Sequence, residues 1–247
     1  MFIKYMRKDI RMKSIAIIPA RGGSKRIPGK NIKDFCGKPI IAYSIQAALD
    51  SHVFETVMVS TDSKEIAEIA KKYGAEVPFY RSEETSSDYA STASVVMEVL
   101  REYEKIGKKY ESACCLYPTA PFLTADIIKE AENMMDTKKP AEIIGVVEFS
   151  YPPQRAYNIG SDGLMQYKYK EYINARSQDL EKLYHDAGQF YIYNVREFYR
   201  LNGRIAEGIM PIILSQLLVQ DIDTEDDWEL AELKYNYWRK DDGDEAR

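Results

Sequence analysis

The segment from Ile18 to Asn31 reads Ile-Pro-Ala-Arg-Gly-Gly-Ser-Lys-Arg-Ile-Pro-Gly-Lys-Asn. Its three glycines let the backbone approach a ligand closely and present N–H groups to it. Arg21, Lys25, Arg26 and Lys30 add four positive charges within ten positions. Backbone donors combined with several cations are what a triphosphate requires. The plainer alternative is a solvated, charged loop. The spacing is not that of a P-loop, because position 24 is Ser and Asn31 follows Lys30, and a Gly-x-Gly-x-x-Gly fingerprint is absent as well. Far downstream, Gln220 to Asp227 reads Gln-Asp-Ile-Asp-Thr-Glu-Asp-Asp. Asp221 and Asp223 alternate, so on a strand both carboxylates point to one side. Hard carboxylate oxygens suit Mg²⁺, which in nucleotidyl transfer also binds phosphate oxygens. The competing role for Asp223 is to cap a helix starting near Glu225, but capping leaves Asp221 unexplained. Glu225, Asp226 and Asp227 suit the positive end of that helix.

These residues need a frame that places them. Ser14 to Pro19 is an apolar run closed by the glycine-rich segment and reads as a buried strand entering a loop. Further strands are predicted at Thr56 to Ser60, Val77 to Tyr80, Ser112 to Leu116, Glu142 to Val147 and Gln189 to Asn194. Helices are predicted at Ile40 to Leu49, Lys64 to Tyr73, Ser91 to Tyr103, Ala125 to Met135, Val195 to Leu201 and Glu225 to about Trp238. Strands and helices alternating at this spacing imply an α/β, three-layer, Rossmann-like fold with a mostly parallel sheet. Ligands of such sheets bind outside the carboxyl ends of the strands, where the polar sequences quoted above lie. Between Ser150 and Tyr193 the chain turns rich in Tyr, Gln, Arg and Asp, with a turn at Gly160 to Gly163, and reads as an excursion from the sheet at about 150–190. The globular pattern begins at Met12 to Ser14, so residues 1–12 are expected to form an extension before a single domain at 13–247.

The chain has 247 residues, 45% of them hydrophobic and 30% charged, with a formal net charge of -5. That balance disfavours wrapping nucleic acid. Six basic residues nevertheless lie between Arg21 and Lys38, and a local cationic site in an acidic protein suits a small anionic ligand. Cys36, Cys114 and Cys115 fit neither a disulfide framework nor a zinc site, and a reducing cytoplasm is expected. No stretch is apolar and long enough to span a bilayer. Residues 1–11 carry charges throughout and do not resemble a secretory signal.

The segment from Ile18 to Asn31, including its Pro-Gly-Lys-Asn ending, resembles the N-terminal signature of the CMP-sugar synthetases, the sialate-type cytidylyltransferases. The resemblance extends along nearly the whole chain, through Val59-Ser60-Thr61-Asp62, Arg81, Ser87 to Thr92, and Leu116 to Pro121. It implies a CTP site lined by Ala20, Arg21, Gly22, Ser24, Lys25, Lys30 and Asn31, with Arg21 and the two lysines facing phosphates. Arg81 and Thr92 would lie at the cytosine, where a guanidinium and a hydroxyl help tell it from uracil. The family's Asp-x-Asp-Thr binds metal, which assigns Asp221 and Asp223 to Mg²⁺ and groups Arg21, Lys30 and Asp223 as catalytic. Tyr117 replaces the Gln of sialate enzymes, a departure at a position expected to touch the sugar.

On the sugar side, the stretches Tyr151 to Ala156, Asn174 to Asp179 and Tyr184 to Tyr191 look closest to one branch, the pseudaminic acid cytidylyltransferases. This resemblance implies that Tyr117, Arg155, Arg176, His185, Asp186, Gln189 and Tyr191 contact a nine-carbon sugar acid. It also implies a homodimer in which the excursion reaches the neighbouring subunit's site. The implied reaction is in-line attack of the sugar's anomeric hydroxyl on the α-phosphorus of CTP, with pyrophosphate leaving. His52 and, for a lone histidine, His185 also carry an ordinary surface or structural reading. Alternatives are a sialate, legionaminate or 3-deoxy-octulosonate cytidylyltransferase, a nucleotide-binding regulator without catalysis, and a structural partner using the Tyr-rich region.

Overall fold

The computed structural model describes residues 12–244, with side chains through residue 240; residues 1–11 of the expected extension lie outside them. Met12, assigned above to the extension, packs instead against the core and donates its N–H to Asp136 Oδ1 at 3.3 Å. The strands are β1 (Ser14–Pro19), β2 (Asp34–Phe35), β3 (Lys38–Pro39), β4 (Thr56–Ser60), β5 (Ser112–Leu116), β6 (Glu142–Glu148), β7 (Tyr157–Ile159), β8 (Met165–Tyr167), β9 (Tyr184–Asn194) and β10 (Ile209–Ile213). The helices are α1 (Ile41–Ser51), α2 (Lys64–Lys72), α3 (Glu83–Ser86), α4 (Thr92–Lys105), α5 (Ala125–Lys138), α6 (Val195–Arg200) and α7 (Glu225–Asp244).

Six strands form the central sheet in the order β10-β6-β9-β5-β1-β4. β1 runs parallel to β4 and β5, β10 parallel to β6, and β9 antiparallel between β5 and β6. The apolar runs of β1, β4 and β5 are buried along their length because helices cover both faces. Ala16 and Ile18 join α1, α2 and α5 in one core layer, whereas Ile15 and Ile17 join α4 in the other. Cys114 and Cys115 divide between the two layers in the same way, the two-residue period of a strand. A third cluster fixes α7 to the β2-β3 ribbon through Phe35, Tyr43, Phe122, Ile222 and Trp228.

Side-chain caps set the helix starts that border the site. Ser63 caps α2 by accepting from Ile66 N at 3.4 Å, and Ser91 caps α4 by accepting from Ser94 N at 3.1 Å. The predicted strand at Val77 to Tyr80 does not form. Glu76 bridges once to Met58 on β4, and Pro78 then has no N–H to extend the ladder. β9 starts five residues before the predicted Gln189, across an irregularity where its register on β6 jumps from Ile144–Tyr191 to Val146–Asp186. The excursion holds the short β7-β8 hairpin, whose turn spans the predicted Gly160 to Gly163. No helix among the described residues is long and apolar enough to cross a membrane.

Candidate active site

Three neighbouring parallel strands, β5, β1 and β4, end side by side, and the segments leaving them meet in a cleft of about 560 Å³. The loop after β1 contributes Arg21, Ser24, Lys25, Arg26, Lys30 and Asn31. The segment after β5 contributes Tyr117, and Arg81, Asp88 and Thr92 form the opposite wall. Of the sequence-predicted nucleotide residues, all but Ala20 and Gly22 line this cleft, gathered by the strand-end geometry of an α/β sheet.

The loop's shape is held by its own polar groups. Gly22 donates its N–H to Asp62 Oδ1 at 2.8 Å, and a Cβ at Gly22 would press on Ser63 Cβ at 3.2 Å. Asn31, buried, donates Nδ2 to the Arg21 carbonyl at 3.0 Å and closes the loop on itself. Gly29 at φ +63 opens the 3₁₀ turn Lys30–Ile32, a left-handed position that favours glycine. Ala20 is buried beneath the loop and donates its N–H to the Ser60 carbonyl. Its role is to anchor the loop rather than line the cleft.

Sequence reasoning had no role for Asp88, yet its carboxylate bridges two of the cations. It accepts from Arg21 Nη1 at 2.6 Å and pairs with Lys25. The Lys25 ammonium, then Arg21, holds its carboxyl below the usual carboxylate range. The signal was present in the sequence, since four clustered cations need anions beside them when no phosphate is bound. Arg81 donates Nε to Ser60 Oγ at 3.2 Å and Nη2 to the Ser60 carbonyl at 2.7 Å. These bonds dock it on the end of β4, where burial is the main influence lowering its pKa.

The acidic pair lies at the other end of the loop. Lys30 donates Nζ to the Ile222 carbonyl at 2.6 Å and to Asp223 Oδ1 at 3.4 Å, and Arg26 Nη1 lies 2.8 Å from Asp223 Oδ2. Asp221 and Asp223 are not on a strand, as expected above, but in the extended stretch before α7. Ile222 is buried between them, which leaves both carboxylates on the outer side. Asp223 does not cap α7. Thr224 does so, with Asp227 in a reciprocal box: Asp227 N donates to Thr224 Oγ1 at 3.2 Å, and Thr224 N to Asp227 Oδ2 at 2.8 Å. The helix therefore makes no demand on either member of the pair. Among the described residues no group of three or more His, Cys, Asp or Glu could hold a metal ion. Two outward carboxylates, of which Asp223 pairs with Arg26 and Lys30, fit a Mg²⁺ ion that takes its other oxygens from outside the protein, not a closed protein cage.

The predicted sugar contacts divide. Tyr117 lines the cleft, its ring packed on Tyr191 at 5.5 Å between centroids, and Tyr191 donates its hydroxyl to Asp186 Oδ2 at 2.5 Å. Gln189 is buried and donates Nε2 to the Leu218 carbonyl, so it holds the segment leading to Asp221 instead of lining the cleft. His185 packs on Phe149 at 4.7 Å. Arg155 donates to the Ala175 carbonyl at 2.8 Å, and Arg176 pairs with Asp179 at 2.6 Å. Both arginines belong to the excursion, and neither lines the cleft of its own chain.

A phosphate-type cation loop, a half-buried arginine and an acidic pair at the strand ends of an α/β sheet define a nucleotide-dependent transferase. A model of the cytidylyltransferases matches residues 15–212, and the chain belongs to that family. It is 42% identical over 224 residues to the pseudaminic acid cytidylyltransferase of Campylobacter jejuni, covering 91% of this chain and 97% of the relative. The CMP-N,N'-diacetyllegionaminic acid synthase of Legionella pneumophila is 35% identical, with 90% of this chain and 95% of the relative covered. The N-acylneuraminate cytidylyltransferase of Escherichia coli is 32% identical over 90% of this chain and 52% of its own length. Among solved structures, a CMP:2-keto-3-deoxy-manno-octonic acid synthetase complexed with CTP superposes with a TM-score of 0.65 at 16% identity, over 92% of this chain and 99% of that one. That likeness bears on the fold alone.

Proposed function

We propose that this chain transfers CMP from CTP to the anomeric hydroxyl of pseudaminic acid, releasing pyrophosphate. The observation that carries the reading is the junction of two distant segments. The cation loop and the acidic pair, 193 positions apart at Lys30 and Asp223, are joined directly at the cleft mouth. The relatives' names support the choice of sugar acid. An N-acylneuraminate or legionaminate substrate is the second reading, favoured by the related synthases.

In this reading Arg81 and Thr92 hold the cytosine end of the nucleotide, and the cation loop holds the triphosphate. The anomeric hydroxyl gives up its proton to water as its oxygen forms a bond to the α-phosphorus, the bond to the β-phosphate oxygen breaks, and the pyrophosphate departs with that electron pair. Arg21, Lys25 and Lys30 stabilise the charge that accumulates on it. Asp88 gives up its cations when phosphates arrive. Asp221 and Asp223 would hold Mg²⁺, which supplies neutralisation of phosphate charge and a lower pKa for an attacking hydroxyl. Tyr117, Asp186 and Tyr191 stand on the sugar side, where orientation removes part of the entropic barrier. Arg155, Arg176 and His185 belong to a 150–190 arm on a single domain at 13–247. The arm serves the neighbouring subunit's site in a homodimer. The free cysteines suit a cytoplasmic enzyme.

Replacing Asp223 with Ala tests the acidic pair. Turnover with Mg²⁺ should fall at least about a hundredfold, while CTP binding by calorimetry stays within a few-fold. Turnover close to wild type would remove Asp223 from the mechanism.

A further inference from the structure

Of the four cations in the loop after β1, Arg26 is the one that the phosphate assignment leaves over. Its side chain lines the cleft and is 66% exposed, yet its guanidinium is turned to Asp223, with Nη1 2.8 Å from Oδ2. Lys30 takes the other oxygen, with Nζ 3.4 Å from Oδ1. The two cations are held differently. Lys30 is only 20% exposed and also donates to the Ile222 carbonyl at 2.6 Å, which fixes it to the backbone of the segment that carries the acidic pair. Arg26 has no second anchor of this kind among the described residues.

A carboxylate coordinates a divalent cation through its oxygens, and both oxygens of Asp223 face a cation of the loop. Coordination at Asp223 therefore has to displace one of them. Lys30 is tied by its bond to Ile222 and stays beside the pair. Arg26 is the one free to leave. An ion pair between exposed side chains contributes little in water and is screened by salt, so its exchange for another partner is easy. The planar fork of a guanidinium matches phosphate oxygens, and Arg26 already borders the cleft. A polyphosphate there offers it a new partner at the same moment as it brings oxygens to a shared metal ion.

We propose that Arg26 guards Asp223: it keeps divalent cations off the acidic pair until a polyphosphate draws its guanidinium into the cleft. Metal then enters with the phosphates and not before them. The coupling is reciprocal, because a cation that takes Asp223 releases Arg26 for the phosphates. The inference rests on the metal role given to Asp221 and Asp223 above.

The test is Mn²⁺ binding without nucleotide, followed by the electron paramagnetic resonance signal of the free ion. In Arg26→Gln the Mn²⁺ dissociation constant should fall roughly fivefold, the most that one exposed ion pair is worth. Lys25→Gln removes the same charge from the same loop, but its partner is Asp88, so it should leave the Mn²⁺ constant unchanged. Inorganic tripolyphosphate, titrated in EDTA by calorimetry, should bind Arg26→Gln roughly fivefold more weakly than wild type, by the same measure. Circular dichroism checks folding, and Arg26→Met replaces a Gln variant that does not fold. An Mn²⁺ affinity unchanged by Arg26→Gln, an equal tightening by Lys25→Gln, or an unchanged tripolyphosphate affinity overturns the guarding role alone. Asp223→Asn in the Arg26→Gln background should abolish the gain in Mn²⁺ affinity. A gain that survives it puts the ion elsewhere and overturns the metal reading of Asp223 as well.

Discussion

Glu142 begins β6 with 8% of its surface exposed. Burial, then the charge of Asp186, raises its pKa from an ordinary 4.5 to about 7. The folded state therefore favours the protonated form. The stability this contributes is fully present below about 4.5 and is lost as pH rises through about 7. Above that pH, Glu142→Gln is expected to be more stable than wild type by up to about 3 kcal/mol. Thermal melts from pH 4.5 to 8 check this, and parallel profiles for the two proteins would contradict it. Individual residues were unevenly legible in the sequence. Arg21, Lys25 and Lys30 stood out because clustered cations in a glycine-rich loop have few other uses. Asp88 did not: the cations call for an anion, but its partners lie 63 and 67 positions away and only the fold brings them together. The competing reading of Asp223 as the helix cap lies one position before the Thr224 that performs it.

At the scale of elements, the strands that feed the cleft could be read from apolar runs, because a buried parallel strand has nowhere to place a polar side chain. β1, β4 and β5 matched their expected bounds for this reason. β9 did not: the strand was expected only from Gln189, whereas it begins at Tyr184 and runs through Asp186 and Gly188 with a shifted register. Gly145 on the facing strand leaves room for this, since a Cβ there would meet Phe190 Cε1 at 3.0 Å. Gly188 at φ +63 should be intolerant of a side chain. Gly188→Ala is expected to cost about 1–2 kcal/mol in chemical denaturation and to reduce turnover more than that loss explains, because its N–H holds Asp186. An unchanged midpoint and unchanged rate would show that the irregularity is incidental.

Over the whole molecule, the excursion is the part whose composition and surroundings disagree. Ile159, Leu164 and Met165 on its hairpin are 74%, 64% and 60% exposed, three large apolar side chains facing outward on one short element. Arg155 and Arg176, expected at the sugar, stay outside their own chain's cleft. Both facts have one explanation if the hairpin is covered by a second copy whose cleft it completes, as the proposed dimer requires. Light scattering should give twice the chain mass, and Ile159→Asp with Met165→Asp should give a monomer with little turnover. A fully active wild-type monomer would contradict the arm's role. The sequence showed this region as a change of composition, but not its partner surface, because an intermolecular contact leaves no periodicity within one chain.

The central claim is the choice of substrates, and its most direct test is pyrophosphate release from CTP and Mg²⁺ with three acids in parallel: pseudaminic, N-acetylneuraminic and legionaminic acid. The account predicts rapid release with pseudaminic acid and rates at least about a hundredfold lower with the other two, the discrimination expected when buried polar groups lose their partners. Equal or faster release with either of the others would contradict the assignment of the sugar side.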